Sequence, residues 1–248
     1  MTHMNSYGRF AEVYDQLMED IPYDQYVEWI TKHAPATTHS KLLDVGCGTG
    51  VMLSMLLQSG YEAAGLDLSE EMLMMANTRL QTQGQQALLV CQSMDELDGF
   101  VDLDVVCIPI DSINYLQEWS QVKETLKRIY ESLRKGGQLF FDVHSLYKMD
   151  TIFMDGPFTY DDGEVTYIWH TEALETPHTV EHDMTFFVEV EEDLFERFDE
   201  QHIQRSFAVD DYVQLLQEIG FTNIHVTADF SEQAPTAESE RIFFHAVK

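Results

Sequence analysis

The chain has 248 residues, 44% of them hydrophobic and 12% aromatic, which suits one globular domain with an elaboration or at most two small domains. Forty-four acidic residues against fourteen Lys and Arg leave a net charge of −30. That balance argues against DNA, RNA and anionic membranes as direct partners, because affinity for phosphates comes largely from Lys and Arg. No apolar run reaches the ~18–20 residues of a membrane span, and the stretch Met1 to Tyr14 is polar, without an apolar signal region. Three cysteines, Cys47, Cys91 and Cys107, are an odd count without metal spacing. Two of them fall on predicted buried strands, so reduced thiols and a cytoplasmic location are expected.

In chain order, Phe10, Val13, Tyr14 and Leu17 share one helical face, which predicts a helix over 6–18. Pro22 suits a second helix start, followed by Tyr23, Tyr26, Trp29 and Ile30 at similar spacing. Strand and helix then alternate: strand 42–45, helix 50–59, strand 62–66, and helix 70–83 with Ser69 as N-cap. Strands 87–91 and 103–108 follow, then helix 118–134, which Lys135-Gly136-Gly137 is expected to stop. After strand 138–143, helix 210–219 closes on Gly220, and strands near 223–228 and 242–247 finish the series. This alternation predicts an α/β fold, a doubly wound, mostly parallel sheet with helices on both faces.

Residues 157–207 break the alternation. Asp161-Asp162-Gly163 is a hairpin-type turn. Val180, His182, Met184, Phe186, Val188 and Val190 would share one strand face, with Glu181, Asp183, Thr185, Glu189 and Glu191 on the other. The run from Leu194 to Phe207 also alternates, so an inserted antiparallel sheet is predicted. This insertion is expected to form a lid that walls an acceptor pocket; the alternative is a homodimer interface. Residues 1–156 and 208–248 would form the main domain with an N-terminal helical cap. The polar stretch Ser231 to Glu240, with Pro235, reads as a loop.

The densest signal is Leu42-Leu43-Asp44-Val45-Gly46-Cys47-Gly48-Thr49-Gly50. An apolar strand runs into three alternating glycines and then an apolar helix, a backbone bed for a nucleotide-like ligand. A dinucleotide fingerprint would put its third glycine at position 51, which is Val51. That disfavours a nucleotide-dependent oxidoreductase, and Asp44 suits a cationic or zwitterionic ligand better than a pyrophosphate. Twenty-one residues after Gly46, Asp67 ends the second apolar run, placed to hold two ribose hydroxyls. The run Asp44 to Gly50 with Asp67-Leu68-Ser69 downstream resembles the class I S-adenosylmethionine-dependent methyltransferases: the first element their motif I, Asp67 their ribose-binding acid. The resemblance covers residues 40–145 and 208–248. It implies a seven-stranded Rossmann-like sheet whose last strand is antiparallel and inserted between two others.

The resemblance makes S-adenosylmethionine the expected cofactor. Leu68 and Met72 are candidates to pack on its adenine, with Ser93, Met94 and Asp95 on the other side. Family members often carry an Asp where Ser93 falls; here Asp95 stands two residues on. The turn, including Cys47, and Asp44 suit the ammonium end, and Arg9 could clamp the carboxylate. Tyr7 and Tyr14 offer aromatic faces to the sulfonium. The segment Tyr7 to Met18 resembles the N-terminal helix of small-molecule N-methyltransferases, including amino-sugar dimethyltransferases.

Ligands in such sheets bind beyond the carboxyl ends of the strands. Asp111, Ser112 and Asn114 follow the fourth strand and His144 ends the fifth, so all should face the reacting methyl. His144 and Asp111 are the candidate bases, with Tyr14 also near the reaction. The Asn/Asp-Pro-Pro-aromatic segment of base-directed amino-methyltransferases is replaced by Pro109-Ile110-Asp111-Ser112, and no Pro-Cys pair serves pyrimidine chemistry. His170, His178, His182 and His202 lie on the insertion as surface or pocket-wall residues, and no metal site is expected. The reading is methyl transfer to a small-molecule N or O acceptor. Its alternatives are a protein or tRNA methyltransferase and a non-catalytic S-adenosylmethionine-binding regulator.

Overall fold

The computed structural model describes residues 21–191 and 194–248. The expected first helix, with Tyr7, Arg9 and Tyr14, lies outside the described residues. Helix α1 (Tyr23–His33) follows Pro22 and buries Tyr26 and Ile30, one turn apart. Strand β1 (Lys41–Val45) is buried beyond its first residue. Helix α2 (Val51–Gln58), strand β2 (Glu62–Asp67) and helix α3 (Glu70–Thr82) follow. The Ser69 side chain accepts from Met72 N, so it caps α3 as its residue type predicts. Strand β3 (Leu89–Cys91) is shorter than expected, and Cys91 is exposed rather than buried, because β3 is the sheet's outer strand.

Strand β4 (Leu103–Ile108) is buried at every residue, as a parallel strand covered on both faces must be. Helix α4 (Trp119–Ser132) ends before the glycine pair, and strand β5 (Leu133–His144) begins at once. Lys135-Gly136-Gly137 is therefore not the helix stop. These residues lie in a bulge of β5, between the rungs Leu103–Leu133 and Val105–Gln138, where Gly136 N donates to Lys248 O. A short helix α5 (Leu146–Asp150) and a 3-10 turn (Ile152–Asp155) lead into the insertion.

The insertion is a four-stranded antiparallel sheet: β6 (Phe158–Asp161), β7 (Val165–Ala173), β8 (Thr179–Glu191) and β9 (Leu194–Arg205). Its rungs line up Tyr167 with Phe186 and Phe198, and Trp169 with Met184 and Glu200. Helix α6 (Val209–Ile219), strand β10 (Thr222–Ala228) and strand β11 (Arg241–Val247) complete the main layer. Its order is β10-β11-β5-β4-β1-β2-β3, with β11 antiparallel to both neighbours. The doubly wound seven-stranded sheet with a reversed, inserted last strand is thus as expected.

The β5–β11 pair shows why the sheet needs helices on both faces. Phe141 stacks on Phe244 at 4.6 Å within the cluster under α4 and α6. Their neighbours Phe140 and Phe243 turn to the opposite cluster, beneath α1 and α2. Each such side chain contributes about 1.5–3 kcal/mol by leaving water. Polar bonds lock the two sheets together: Ser206 Oγ donates to His144 O at 2.5 Å, and Asn114 Nδ2 to Arg205 O at 2.8 Å. Among the described residues no helix is long and apolar enough to cross a membrane.

Candidate active site

The turn after β1 is held by its own backbone. Gly46 N and Cys47 N both donate to Leu66 O, at 2.7 and 3.0 Å. Gly48 N donates to Asp67 Oδ2 at 2.8 Å and Ser69 N to Asp67 Oδ1 at 2.9 Å, so the carboxylate is fixed at the end of β2. Each oxygen keeps a lone pair for a further donor. Gly46 has φ +76°, and a Cβ there would stand 2.7 Å from Ser112 Cβ. Gly50 has a different reason to be glycine: it starts α2 at φ +77°, and a Cβ would meet Ala76 of α3 at 2.9 Å.

Asp44 is fully buried, with Oδ1 against Cys107 Sγ and Oδ2 without a hydrogen-bond partner among the described residues. Burial pushes its carboxyl up to about 7. Asp44, Gly46, Cys47, Gly48, Asp67, Leu68, Met72, Ser93 and Met94 line one end of a cavity of about 780 Å³, a volume usual for small-molecule sites. Two expected members are not on its wall. Gly50 is spent on helix packing. Asp95 sits in a 3-10 turn, where its oxygens accept from Ser93 Oγ and from Gln121 Nε2.

The other end of the cavity carries a buried ion network. Ile110 and Asp111 follow β4 with φ of +57° and +48°. A β-branched residue in that region is strained by ~1–3 kcal/mol, a cost found mainly at functional sites. The strained turn delivers Asp111 to three partners: Arg241 Nη2 at 2.7 Å, Gln204 Nε2 at 2.8 Å and His144 Nε2 at 3.2 Å. Arg241 also binds Asp142 through Nη1, and that carboxylate accepts from Tyr26 Oη at 3.0 Å and from Asp111 N at 3.1 Å.

Burial alone would raise Asp111, but His144 and Arg241 hold it well below the usual carboxylate range. It stays ionised and, near neutral pH, holds no proton to give and draws none. Burial instead raises Asp142 and lowers His144, against the pull of Asp111. His144 is therefore a neutral imidazole whose Nε2 donates to Asp111, leaving a lone pair on Nδ1, which is buried and without a partner among the described residues.

The insertion supplies the far wall. Trp169, His182, Met184, Phe186, Phe198 and Glu200 line it, and His144 and Lys148 line the same cavity. His182, placed by the alternation on one strand face with Met184 and Phe186, is 3% exposed and stands on the wall. His202 lies beside Glu200 on the same wall, whereas His170 is exposed and His178 pairs with Asp150 at 2.8 Å. Ser112 lines the cavity, but Asn114 works behind it, its Oδ1 accepting from His144 N at 3.0 Å. Sequence reasoning missed Arg241 and Gln204. A lone cation opening an apolar strand was a signal for the first; nothing marks the second.

A glycine turn after the first strand, an acid ending the second and a reversed last strand together define a methyltransferase architecture. Comparison with known proteins agrees. Residues 42–137 match the model of a family described as "Methyltransferase domain". A "Putative methyltransferase" of Geobacillus sp. (strain WCH70) is 45% identical over 98% of this chain and 100% of its own length. The crystal structure of an S-adenosylmethionine-dependent methyltransferase from Clostridium acetobutylicum ATCC 824 superposes with a TM-score of 0.88, at 28% identity and 98% coverage of both chains. An amino pentose methyltransferase from Micromonospora echinaspora, solved with S-adenosylmethionine bound, gives 0.73 at 18% identity, over 95% of this chain and 96% of its own. The chain belongs to the class I S-adenosylmethionine-dependent methyltransferases. It is an enzyme, and S-adenosylmethionine is its cofactor.

Proposed function

We propose that the enzyme methylates a small molecule held between the glycine turn and the inserted sheet, with His144 as proton acceptor. The observation that carries this reading is the single cavity that joins Asp44 and Asp67 at one end to His144 and Trp169 at the other. The amino pentose methyltransferase of the same fold supports a small acceptor, and the net charge of −30 disfavours tRNA. Three free thiols suit a reducing, cytoplasmic setting.

The residues of the turn fit S-adenosylmethionine. A Cβ on Gly48 would meet nothing within 4 Å among the described residues, so the turn stands open there, and the Asp44 oxygen left unpartnered by those residues suits an ammonium group. Asp67 would accept from the ribose hydroxyls, while Leu68, Met72 and Met94 would cover the adenine. When bound, the cofactor supplies a methyl group on a positively charged sulfur.

The rest is done by the chain. The insertion, residues 157–207, acts as the lid: its aromatic wall keeps water out and holds the acceptor in line. His144 Nδ1 takes the acceptor's proton as the new bond forms. Asp111 holds Nε2–H, orients the ring and stabilises the imidazolium that results, and Arg241 pins Asp111 in place.

Transfer of label from methyl-labelled S-adenosylmethionine tests the reading. A cell extract split into metabolite, protein and tRNA fractions should carry the label in the metabolites. Label in protein or tRNA, or no binding of S-adenosylmethionine by calorimetry, would overturn it.

A further inference from the structure

Three imidazoles line the cavity, and two of them, His144 and His182, carry complementary nitrogens that are unmet among the described residues. His182 Nδ1 lies 3.1 Å from Trp169 Nε1. Indole nitrogen only donates, so His182 Nδ1 accepts and the proton of the neutral ring sits on Nε2. Burial pushes His182 down to about 4, so the ring is neutral in ordinary buffers. Among the described residues that Nε2–H is buried and has no partner, and His144 Nδ1, a bare lone pair, is in the same condition. Both rings meet Phe153 edge to face, at 5.2 Å for His144 and 4.8 Å for His182. A donor and an acceptor left unmet beside one phenyl ring are costly unless something fills both.

We infer that the methylated atom is a hydroxyl oxygen on a flat, apolar body, gripped between His144 Nδ1 and His182 Nε2–H. The inference rests on the small-molecule reading above and narrows it to oxygen. A hydroxyl gives its proton to His144, accepts from His182 with one lone pair, and keeps a second lone pair to attack. A neutral amine has one lone pair; given to His182, none remains for the methyl carbon. An ammonium cannot accept, and a carboxylate cannot donate to His144. The ring walls of Trp169, Phe186 and Phe198 suit a planar aromatic acceptor such as a phenol. The acceptor oxygen displaces sulfur from the methyl carbon, leaving the bonding pair on sulfur, and its proton passes to His144 Nδ1. The products are an ether and a neutral thioether.

The test uses the full chain loaded with S-adenosylhomocysteine, the demethylated cofactor. Calorimetric titration compares 2-naphthol with 2-naphthylamine, both neutral at pH 7 and alike in shape. The naphthol should bind about tenfold tighter, because only it satisfies both rings. His182→Phe should erase that preference while cofactor affinity, measured in parallel, reports an intact fold. Imidazole 15N spectra should place the proton on Nε2 in both rings at pH 7, and the naphthol should shift His144 Nδ1 and His182 Nε2. Equal or reversed preference, no binding of the naphthol, a preference that survives His182→Phe, or the opposite tautomers would overturn the inference. Failure to bind S-adenosylhomocysteine at all would instead strike the parent reading.

Discussion

The two ends of the cavity are built in different ways. The cofactor end is local: Asp44, the glycine turn and Asp67 span 24 residues, and neighbouring strands β1 and β2 hold them through backbone bonds. The acceptor end is assembled from afar. Asp111, His144, His182, Gln204 and Arg241 come from five segments and meet only when both sheets are in place. Local construction suits a ligand that does not change; remote construction lets the acceptor wall vary without disturbing the turn.

The sharpest way to break that contrast is at Arg241. Arg241→Met removes the cation shared by Asp111 and Asp142 and leaves buried carboxylates unpaired. The expected cost is ~3–5 kcal/mol of stability in denaturant unfolding. A loss below ~1 kcal/mol would mean that the network tolerates its own dismemberment, which buried pairs do not.

His144→Asn should separate the two ends by function. The proposed proton acceptor is lost, and kcat should fall by ~10²–10⁴-fold with cofactor affinity held, as read by turnover and calorimetry on one preparation. Equal losses in both quantities would show that the ends are not independent.

Asp67→Ala addresses the local end. It removes the carboxylate that fixes Gly48 N and Ser69 N and, on the proposed assignment, two bonds to the ribose. Each charge-assisted bond is worth ~1.5–3 kcal/mol before compensation, so the cofactor Kd should rise at least tenfold. Unchanged affinity would remove Asp67 from the site.

The last test is a pH slope. Burial raises Asp44 from 3.8 to about 7, so the folded chain keeps a proton that the unfolded chain has lost. Its contribution to stability is full below the unfolded value, is lost as pH rises towards about 7, and is level beyond. Asp44→Asn should flatten the fall in unfolding free energy between pH 5 and pH 7. A slope that persists in the variant belongs to another group.

The same contrast governs what the sequence could disclose. Asp44 to Gly50 and Asp67 were legible because spacing along the chain is spacing in space at a strand–turn–helix unit. The alternation from Val180 to Phe186 was legible too, since period two places His182, Met184 and Phe186 on one face. Arg241 and Gln204 were not, because nothing local says that β11 would slide in beside β5 or that β9 would end against Asp111. Asp95 misled for a related reason: its nearness to Ser93 in sequence became a hydrogen bond, not a shared wall. The glycine pair after α4 read as a helix stop, and only pairing with β4 turns Gly136-Gly137 into a bulge.

The insertion of β11 between β10 and β5 also sets an order of events during synthesis. His144 leaves the ribosome nearly a hundred residues before its rung partner Arg241. At ~5–20 residues per second, that interval lasts ~5–20 s. Through it, one edge of β5 waits unpaired beside Phe140 and Phe141, a run inviting adhesion to other chains. The nascent protein therefore completes its cofactor turn early and its acceptor wall last. A chain interrupted before Arg241 would carry an open, sticky flank where the finished enzyme has a neutralised carboxylate pair.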